Sequence, residues 1–290
     1  MSRYVTSVQS IDAMKPTPAV TPLRVGAHAL GGGDLVFLLG PCVLEPDQRA
    51  LRIGEGIARV CARLGVPWIF KASFDKANRS AGGSFRGPGL DAGLRELQDI
   101  GRALGVPLTT DVHLPEQAAP VAEVVDLLQV PAFLCRQTDL LMACGATGRP
   151  VNVKKGQFVA PDAMRGVVGK LPVGACMLTE RGSSFGHGDL VVDLRGLVTM
   201  RALGVPVCFD ATHSVQRPGG GNPATDGPTT GGDRRFVGPL ARAAVATGVD
   251  AVFLEVHDAP EEALSDGPNM VPLAMLEPLL AQLLRIHAAR

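Results

Sequence analysis

Seven short apolar segments of the 290-residue sequence are each followed directly by side chains that can bind anions, bind metals or transfer protons. These polar endings are Gly40-Pro41-Cys42, 71–76, Asp111-Val112-His113, 154–157, Glu180-Arg181-Gly182, 210–213 and Glu255-Val256-His257. In parallel barrels the active site lies where the strands end. The side chains of these endings are therefore expected to meet at one face of the fold.

Basic residues are concentrated in and around these endings, although lysine plus arginine equals aspartate plus glutamate at 28 each. They are Lys71, Lys76, Arg79, Arg86, Arg136, Lys154, Lys155 and Arg181. Arginine offers paired donors to phosphate and lysine a compact charge, so the set predicts a polyanionic substrate. The alternative for single members is that they are solvated or paired with Asp75, Asp111 or Glu180.

A second group of residues predicts a divalent metal. Cys42, His213 and Glu255 follow the first, seventh and eighth apolar segments, whose strands would be neighbours in a closed barrel. Asp266 lies in the loop after the eighth segment and could complete four ligands. A thiolate with an imidazole favours Zn, Fe or Co, and the two carboxylates leave Mn open. The alternative is that Cys42 is only a small buried apolar side chain.

The elements that must position these residues are strands alternating with helices. Eight apolar segments are predicted strands, at 35–40, 66–70, 106–110, 125–130, 151–154, 174–179, 205–210 and 250–255. Helical patterns, such as 49–64, 91–104 and 236–247, lie between them. Eight such units in about 250 residues favour a closed barrel over an open doubly wound sheet. The predicted fold is a single-domain (β/α)8 TIM barrel at 31–290, preceded by an N-terminal extension at 1–30.

The phrase Leu-Gly-Val-Pro occurs three times, beginning at Leu64, Leu104 and Leu203. Glycine can end a helix in the left-handed conformation, and proline then prevents the helix from continuing. Each copy is therefore predicted to join a helix to the following strand. The repetition supports the regular alternation of a barrel.

Composition limits the classes of partner. The formal net charge of zero predicts no attraction to nucleic acid or anionic lipid, and no apolar run is long enough to cross a bilayer. The six cysteines occur singly, and no cleavable apolar signal opens the chain. These features predict free thiols and a cytoplasmic location.

Several longer motifs resemble those of one enzyme family. The most specific is FKASFDKANRS at 70–80, followed by FRGPGL at 85–90. TDVH at 110–113, PAFLCRQTDL at 131–140, NVKKGQF at 152–158 and DATHS at 210–214 follow in the same order. Together they resemble the 3-deoxy-D-manno-octulosonate 8-phosphate synthases from about residue 35 to the C-terminus.

The resemblance implies a (β/α)8 barrel, commonly a homotetramer, that condenses phosphoenolpyruvate with arabinose 5-phosphate for lipopolysaccharide precursor synthesis. By matched position, Lys76, Lys154, Gln157 and Arg181 would hold phosphoenolpyruvate, with Lys71 and Arg136 nearby. Asn78, Arg79, Ser80 and Arg86 would hold arabinose 5-phosphate. Lys76, Asp111, His113 and His213 are the candidate catalytic residues.

The resemblance also bears on the metal. The family that this chain resembles has two subclasses, one metal-dependent with cysteine after the first strand and one metal-free with asparagine there. With Cys42 at this position, the chain resembles the metal-dependent subclass. The resemblance therefore implies Cys42, His213, Glu255 and Asp266 as ligands of Mn, Zn, Fe or Co.

The chain departs from the family's pattern at Gly82-Gly83 and in the longer segment 219–232. That segment would be either a lid over the site or a tolerated surface insertion.

Two alternative functions remain open from the sequence. A related enzyme, 3-deoxy-D-arabino-heptulosonate 7-phosphate synthase, uses erythrose 4-phosphate and usually has a lysine-proline-arginine-threonine pattern where this chain has Lys76-Ala77-Asn78-Arg79-Ser80. The other alternative is a non-catalytic barrel that binds sugar phosphates. Loss of a metal ligand or of a phosphate-binding lysine would favour that alternative, and none is lost.

Overall fold

The protein is a closed barrel of eight parallel strands. A computed structural model describes residues 19–77, 83, 85–185, 188–217 and 231–290. The barrel strands are β1 (Val36–Gly40), β2 (Trp68–Lys71), β3 (Leu108–Asp111), β4 (Leu127–Val130), β5 (Val151–Lys154), β6 (Cys176–Glu180), β7 (Val207–Asp210) and β8 (Ala251–His257). Each overlaps the segment predicted for it, so the eight-stranded prediction is confirmed.

Strand pairing closes the barrel. Neighbours in sequence pair in parallel from β1 to β7, and β8 pairs with both β7 and β1. The pairing of β8 with β1 places Glu255 beside Gly40. The endings of the first, seventh and eighth strands are therefore adjacent, as the sequence predicted.

In the described part of the chain, eight α-helices surround the strands, one after each. They are α1 (Arg49–Leu64), α2 (Leu90–Leu104), α3 (Ala118–Ala122), α4 (Thr138–Ala146), α5 (Arg165–Val168), α6 (Arg195–Arg201), α7 (Val237–Thr247) and α8 (Leu273–Ala288). Gly65 and Gly105 cap α1 and α2 in the left-handed conformation, with φ of 63° and 64°. The predicted role of these two Leu-Gly-Val-Pro phrases is thus confirmed.

Short elements lie in the loops. Among the described residues, 3-10 helices occur at Pro115–Gln117, Ala132–Leu134, Pro161–Met164, His213–Val215, Arg234–Phe236, Pro260–Glu262 and Gly267–Asn269. Ser183–Ser184 pairs with Leu190–Val191, Gln216–Arg217 pairs with Gly231–Gly232, and Val271–Pro272 pairs in parallel with the end of β8. Most of the segment predicted as a lid or insertion, 219–232, lies outside the described residues.

The barrel interior changes from apolar to polar along the strands. Val36, Leu38, Ile69 and Phe253 belong to a buried apolar cluster at the amino ends. An antiparallel hairpin, Leu23–Val25 with His28–Leu30, packs its own apolar side chains into the same cluster. Part of the predicted N-terminal extension thus contacts the barrel interior, while residues 1–18 lie outside the described part of the chain.

Among the described residues, no helix is both long and apolar enough to span a membrane. The six cysteines are all buried and free of disulfides.

The thiols away from the strand endings are expected to be unreactive in the native protein. Burial raises the pKa of Cys61, Cys144 and Cys176 to about 12, and only a thiolate attacks a disulfide. At pH 8 we expect these three to react with an aromatic disulfide reagent roughly 10³-fold more slowly than in urea-unfolded protein. Mass spectrometry would identify the labelled positions, and rapid native labelling of any of the three would contradict the prediction.

Candidate active site

The four predicted metal ligands lie together. Ligand atoms of Cys42, Glu255 and Asp266 lie within 4.8 Å of one another, and all three residues are buried. His213 Nε2 lies 3.5 Å from a carboxylate oxygen of Glu255 and 3.6 Å from one of Asp266. The loops after β1, β7 and β8, together with Glu255 of β8 itself, thus bring one sulfur, one nitrogen and two carboxylates to a common point.

The chemistry of this cluster fits a divalent cation. Oε2 of Glu255 is buried without a hydrogen-bond partner among the described residues. Burial, followed by the charge of Glu255, raises the pKa of the Cys42 thiol to about 12. A cation here would pair with that oxygen and stabilise the thiolate, reversing the effect of burial. The residues present therefore suit a metal with mixed sulfur, nitrogen and oxygen ligands.

His213 is oriented by Asp210. Its Nδ1 lies 2.6 Å from Oδ2 of Asp210, a contact that a proton on Nδ1 satisfies, and this directs Nε2 to the cluster. Burial opposes the charged imidazole, but Asp210 raises the pKa of His213 above its ordinary value. A cation that binds Nε2 would compete with a proton there, and the raised pKa of His213 favours the proton. A carboxylate behind a ligating histidine is a common arrangement in metal sites.

Two residues beside the cluster were missed by the sequence reasoning. Ser265 Oγ lies 2.9 Å from the sulfur of Cys42. Gln216 donates to Asp266 at 3.2 Å and accepts a hydrogen bond from Arg181. Their closeness in sequence to Asp266 and His213 was the only signal available, because neither residue type is distinctive in a loop.

Gly40 allows the loop that carries Cys42 to pass close to β2. A Cβ at this position, where φ is +158°, would lie 1.9 Å from the carbonyl oxygen of Lys71. Because that atom is backbone in a paired strand, Gly40→Ala is expected to cost about 3 kcal/mol of unfolding free energy. Urea denaturation would measure the change.

The matched control for that substitution is Gly166→Ala in α5. A Cβ there meets no atom within 4 Å, and its φ is not in the left-handed region, so little loss of stability is expected. A Gly40→Ala protein that unfolds at the same urea concentration as the control would rule out the clash.

Three lysines lie against carboxylates at the barrel mouth. Lys71 Nζ donates to Glu255 at 2.7 Å and to the carbonyl of Cys42 at 2.9 Å. Lys154 Nζ lies 2.6 Å from Asp210 and 3.8 Å from the centre of the Phe253 ring. Burial alone would lower the pKa of Lys76, but Cys42, Glu255 and Asp111 raise it above its ordinary value. The ammonium nitrogen of each of these lysines thus lies 4.0 Å or less from a carboxylate oxygen.

Asp111 is the last residue of β3, and His113 follows the strand. Burial would raise the pKa of Asp111, but Lys76, Lys71 and Lys154 outweigh it and hold this pKa well below its ordinary value. Burial lowers the pKa of His113, so its imidazole is neutral at pH 7. Its Nδ1 is buried without a hydrogen-bond partner in the described part of the chain. A carboxylate and a neutral base thus stand beside the lysines.

Gln157 and Arg181 also have unused hydrogen-bonding capacity. Oε1 of Gln157 and Nη1 of Arg181 are buried, and neither has a partner within the described ranges. The loops that carry them are tied together by Lys155 and Glu180, whose charged groups lie 3.6 Å apart. Burial lowers the pKa of Arg181. Unsatisfied buried polar groups are costly, so these two are suited to a ligand that completes their hydrogen bonds.

Other predicted site residues are not in this buried group. Arg86 forms an ion pair with Asp75 at 2.5 Å, and its side chain is 57% exposed. For Arg86, the alternative that a basic residue is paired with a carboxylate is therefore what the structure shows. The same holds for Lys155, which pairs with Glu180. Arg136 is exposed. Asn78, Arg79 and Ser80 lie outside the described residues.

The fold and this site define a (β/α)8-barrel enzyme whose strand endings bring several lysines beside a thiol, imidazole and carboxylate cluster. The chain belongs to the family described as "DAHP synthetase I family", whose model matches residues 17–287. This membership and the relatives below confirm the family resemblance inferred from the motifs.

Three relatives carry the name "2-dehydro-3-deoxyphosphooctonate aldolase". The protein of Synechococcus sp. is 58% identical over 261 residues, which cover 89% of this chain and 90% of the relative. That of Cyanothece sp. is 57% identical over 265 residues, or 90% and 95% of the two chains. That of Trichlorobacter lovleyi is 53% identical over 270 residues, or 92% and 97%.

Proposed function

We propose that the protein condenses phosphoenolpyruvate with D-arabinose 5-phosphate and water to give 3-deoxy-D-manno-octulosonate 8-phosphate and inorganic phosphate. The observation that carries this function is 58% identity, over 89% of the chain, to an enzyme named for that octonate. The lysine-lined mouth supports a substrate pair with several anionic groups. The names of these relatives do not favour the heptulosonate alternative, although the family description uses that enzyme's name.

The proposed phosphoenolpyruvate site consists of Lys76, Lys154, Gln157 and Arg181, with Lys71 and Arg136 nearby. The unused donor of Arg181, Nη1, supports this assignment because a bound phosphate or carboxylate would accept a hydrogen bond from it. The proposed site for arabinose 5-phosphate consists of Asn78, Arg79, Ser80 and Arg86. An ion pair that holds Arg86 at Asp75 would have to open, or be shared, when the sugar phosphate binds.

The proposed reaction joins carbon 3 of phosphoenolpyruvate to the aldehyde carbon while water adds to carbon 2. The resulting hemiketal phosphate then loses inorganic phosphate as its C–O bond breaks. Buried lysines and Arg181 neutralise charge on the phosphate and carboxylate throughout, which favours the departing phosphate. Neutral His113 can accept a proton from the added water, and Asp111 stabilises the imidazolium that forms.

The proposed cofactor is a divalent metal, Mn, Zn, Fe or Co, held by Cys42, His213, Glu255 and Asp266. Such a cation would supply Lewis acidity to the aldehyde or to the water. The orphaned oxygen of Glu255 and the contact of His213 with Asp210 support this ligand set.

The remaining proposals concern the cellular setting. We propose a cytoplasmic enzyme in lipopolysaccharide precursor synthesis, supported by six cysteines without disulfides. We also propose a homotetramer. Large apolar side chains at the surface, such as Phe133 and Phe158 at 52% and 60% exposure, support association of this kind. Analytical ultracentrifugation would test the subunit number.

Phosphate release from phosphoenolpyruvate tests the function directly. Chelator-treated protein would be assayed with arabinose 5-phosphate or erythrose 4-phosphate, before and after Mn, Zn, Fe or Co is added. The expected result is turnover with arabinose 5-phosphate alone, restored by metal. Turnover only with erythrose 4-phosphate would support the heptulosonate synthase, and no turnover with either would support a non-catalytic barrel. Full activity without metal would overturn the cofactor alone.

A further inference from the structure

A row of buried polar side chains crosses the inside of the barrel from β6 to β3. Strand pairing sets Asp111 beside Gln129 and Gln129 beside Asn152. Thr179 on β6 continues the row, and Gln129, Asn152 and Thr179 are all fully buried. Sequence reasoning did not single out these three residues because inside a strand they are ordinary polar types.

The hydrogen bonds of this row all run toward Asp111. Thr179 Oγ1 donates to Oδ1 of Asn152 at 2.6 Å, and Nδ2 of Asn152 donates to Oε1 of Gln129 at 3.0 Å. Gln129 Nε2 then donates to Oδ1 of Asp111 at 2.7 Å. Because the Asp111 carboxylate can only accept, Gln129 must turn its NH2 group to Asp111 and its oxygen to the NH2 group of Asn152. One end of the Asp111 carboxylate is thereby held.

The other oxygen of Asp111 faces the proposed phosphoenolpyruvate site. Oδ2 accepts from Ser73 Oγ, and Ser73 Oγ in turn accepts from Lys76 Nζ at 2.9 Å. Lys76 Nζ itself lies 4.0 Å from Oδ2 of Asp111. Any rotation of the carboxylate would therefore change the position of the lysine ammonium.

We infer that Thr179, Asn152 and Gln129 are positioning residues that hold Asp111, and through it Lys76, in place for phosphoenolpyruvate. This inference rests on the proposed function, since it concerns the site of that substrate. None of the three needs to contact substrate. A fully satisfied polar row in a buried environment is rigid, and losing one member leaves neighbouring groups without partners.

Thr179→Val tests the far end of the row with an isosteric change that removes only the hydroxyl. We expect kcat/KM for phosphoenolpyruvate to fall about 3- to 10-fold through a higher KM for that substrate. The KM for arabinose 5-phosphate should not change. A purely structural defect would instead reduce the active fraction, lowering kcat and leaving both KM values alone. Thr179→Ser retains the hydroxyl and should restore the wild-type value.

The matched control is Thr109→Val on β3. Thr109 is also fully buried, but its hydroxyl has no hydrogen-bond partner among the described residues. We expect this variant to keep wild-type kinetics. Should Thr179→Val fail to fold, Asn152→Leu interrupts the same row with a side chain of similar size, and the same rise in KM is expected.

A double-mutant cycle separates action through the row from independent effects. Gln129→Met removes the donor to Asp111 and is expected to lower kcat/KM about 10- to 100-fold. Adding Thr179→Val to it should cause no further loss, because the connection is already broken. Additive losses, or a Thr179→Val enzyme identical to the Thr109→Val control, would overturn the inference. Wild-type turnover with arabinose 5-phosphate tests the proposed function separately.

Discussion

Lys76→Met is expected to lower kcat/KM for phosphoenolpyruvate by about 10²- to 10³-fold, the usual effect of removing one group that stabilises developing charge. Methionine keeps much of the length and volume but not the charge. Because Cys42, Glu255 and Asp111 raise the pKa of Lys76, the wild-type side chain is a cation across the working pH range. The measurement is phosphate release at varied phosphoenolpyruvate and saturating arabinose 5-phosphate.

A control is needed because Lys76→Met also takes a cationic neighbour away from a carboxylate at the barrel mouth. Lys170→Met removes a lysine whose ammonium donates to the backbone carbonyl of Arg136, so its kinetics should match those of the wild type. Thermal unfolding of both variants would show whether the Lys76→Met protein is folded at the assay temperature. A folded Lys76→Met enzyme with normal kinetics would remove Lys76 from the site.

The barrel was predictable because its signals are local. Helix ends need a left-handed residue, and Gly65 and Gly105 supply one directly before Val-Pro. Strands buried on both faces need continuous apolar segments, and eight such segments were visible. By contrast, the hairpin at Leu23–Val25 and His28–Leu30 is short, and its position is fixed by contacts with residues distant in sequence such as Phe253.

The sequence predicted those parts of the candidate site that lie at the endings of strands. Cys42, His213 and Glu255 could be placed together because a closed barrel makes their strands neighbours. The row of Thr179, Asn152 and Gln129 could not, because side-chain direction inside a strand depends on register. The partner of Arg86, either a substrate or Asp75, depends on the conformation of the loop, which the composition of the sequence does not specify.

Cys42→Asn is expected to weaken metal binding by about 100-fold or more, since even residues behind the ligands contribute about 10- to 100-fold. The amide oxygen is a poorer ligand than a thiolate for Zn, Fe or Co. His213, Glu255 and Asp266 would remain, so some weak binding is expected to persist. Metal per chain after equilibrium dialysis is the measurement, and loss of the thiolate-to-metal absorption of the Co-loaded protein is a second one.

Metal content, and not activity, is the decisive result for this variant. Turnover by the Cys42→Asn protein would not by itself show that the wild-type chain lacks a metal. Cys61→Ala is the control, because Cys61 is a buried thiol within the apolar core around α1. Unchanged metal content in Cys42→Asn, with the control also unchanged, would exclude Cys42 as a ligand. Loss of metal only in Cys42→Asn would assign the thiolate and leave His213, Glu255 and Asp266 to be tested in the same way.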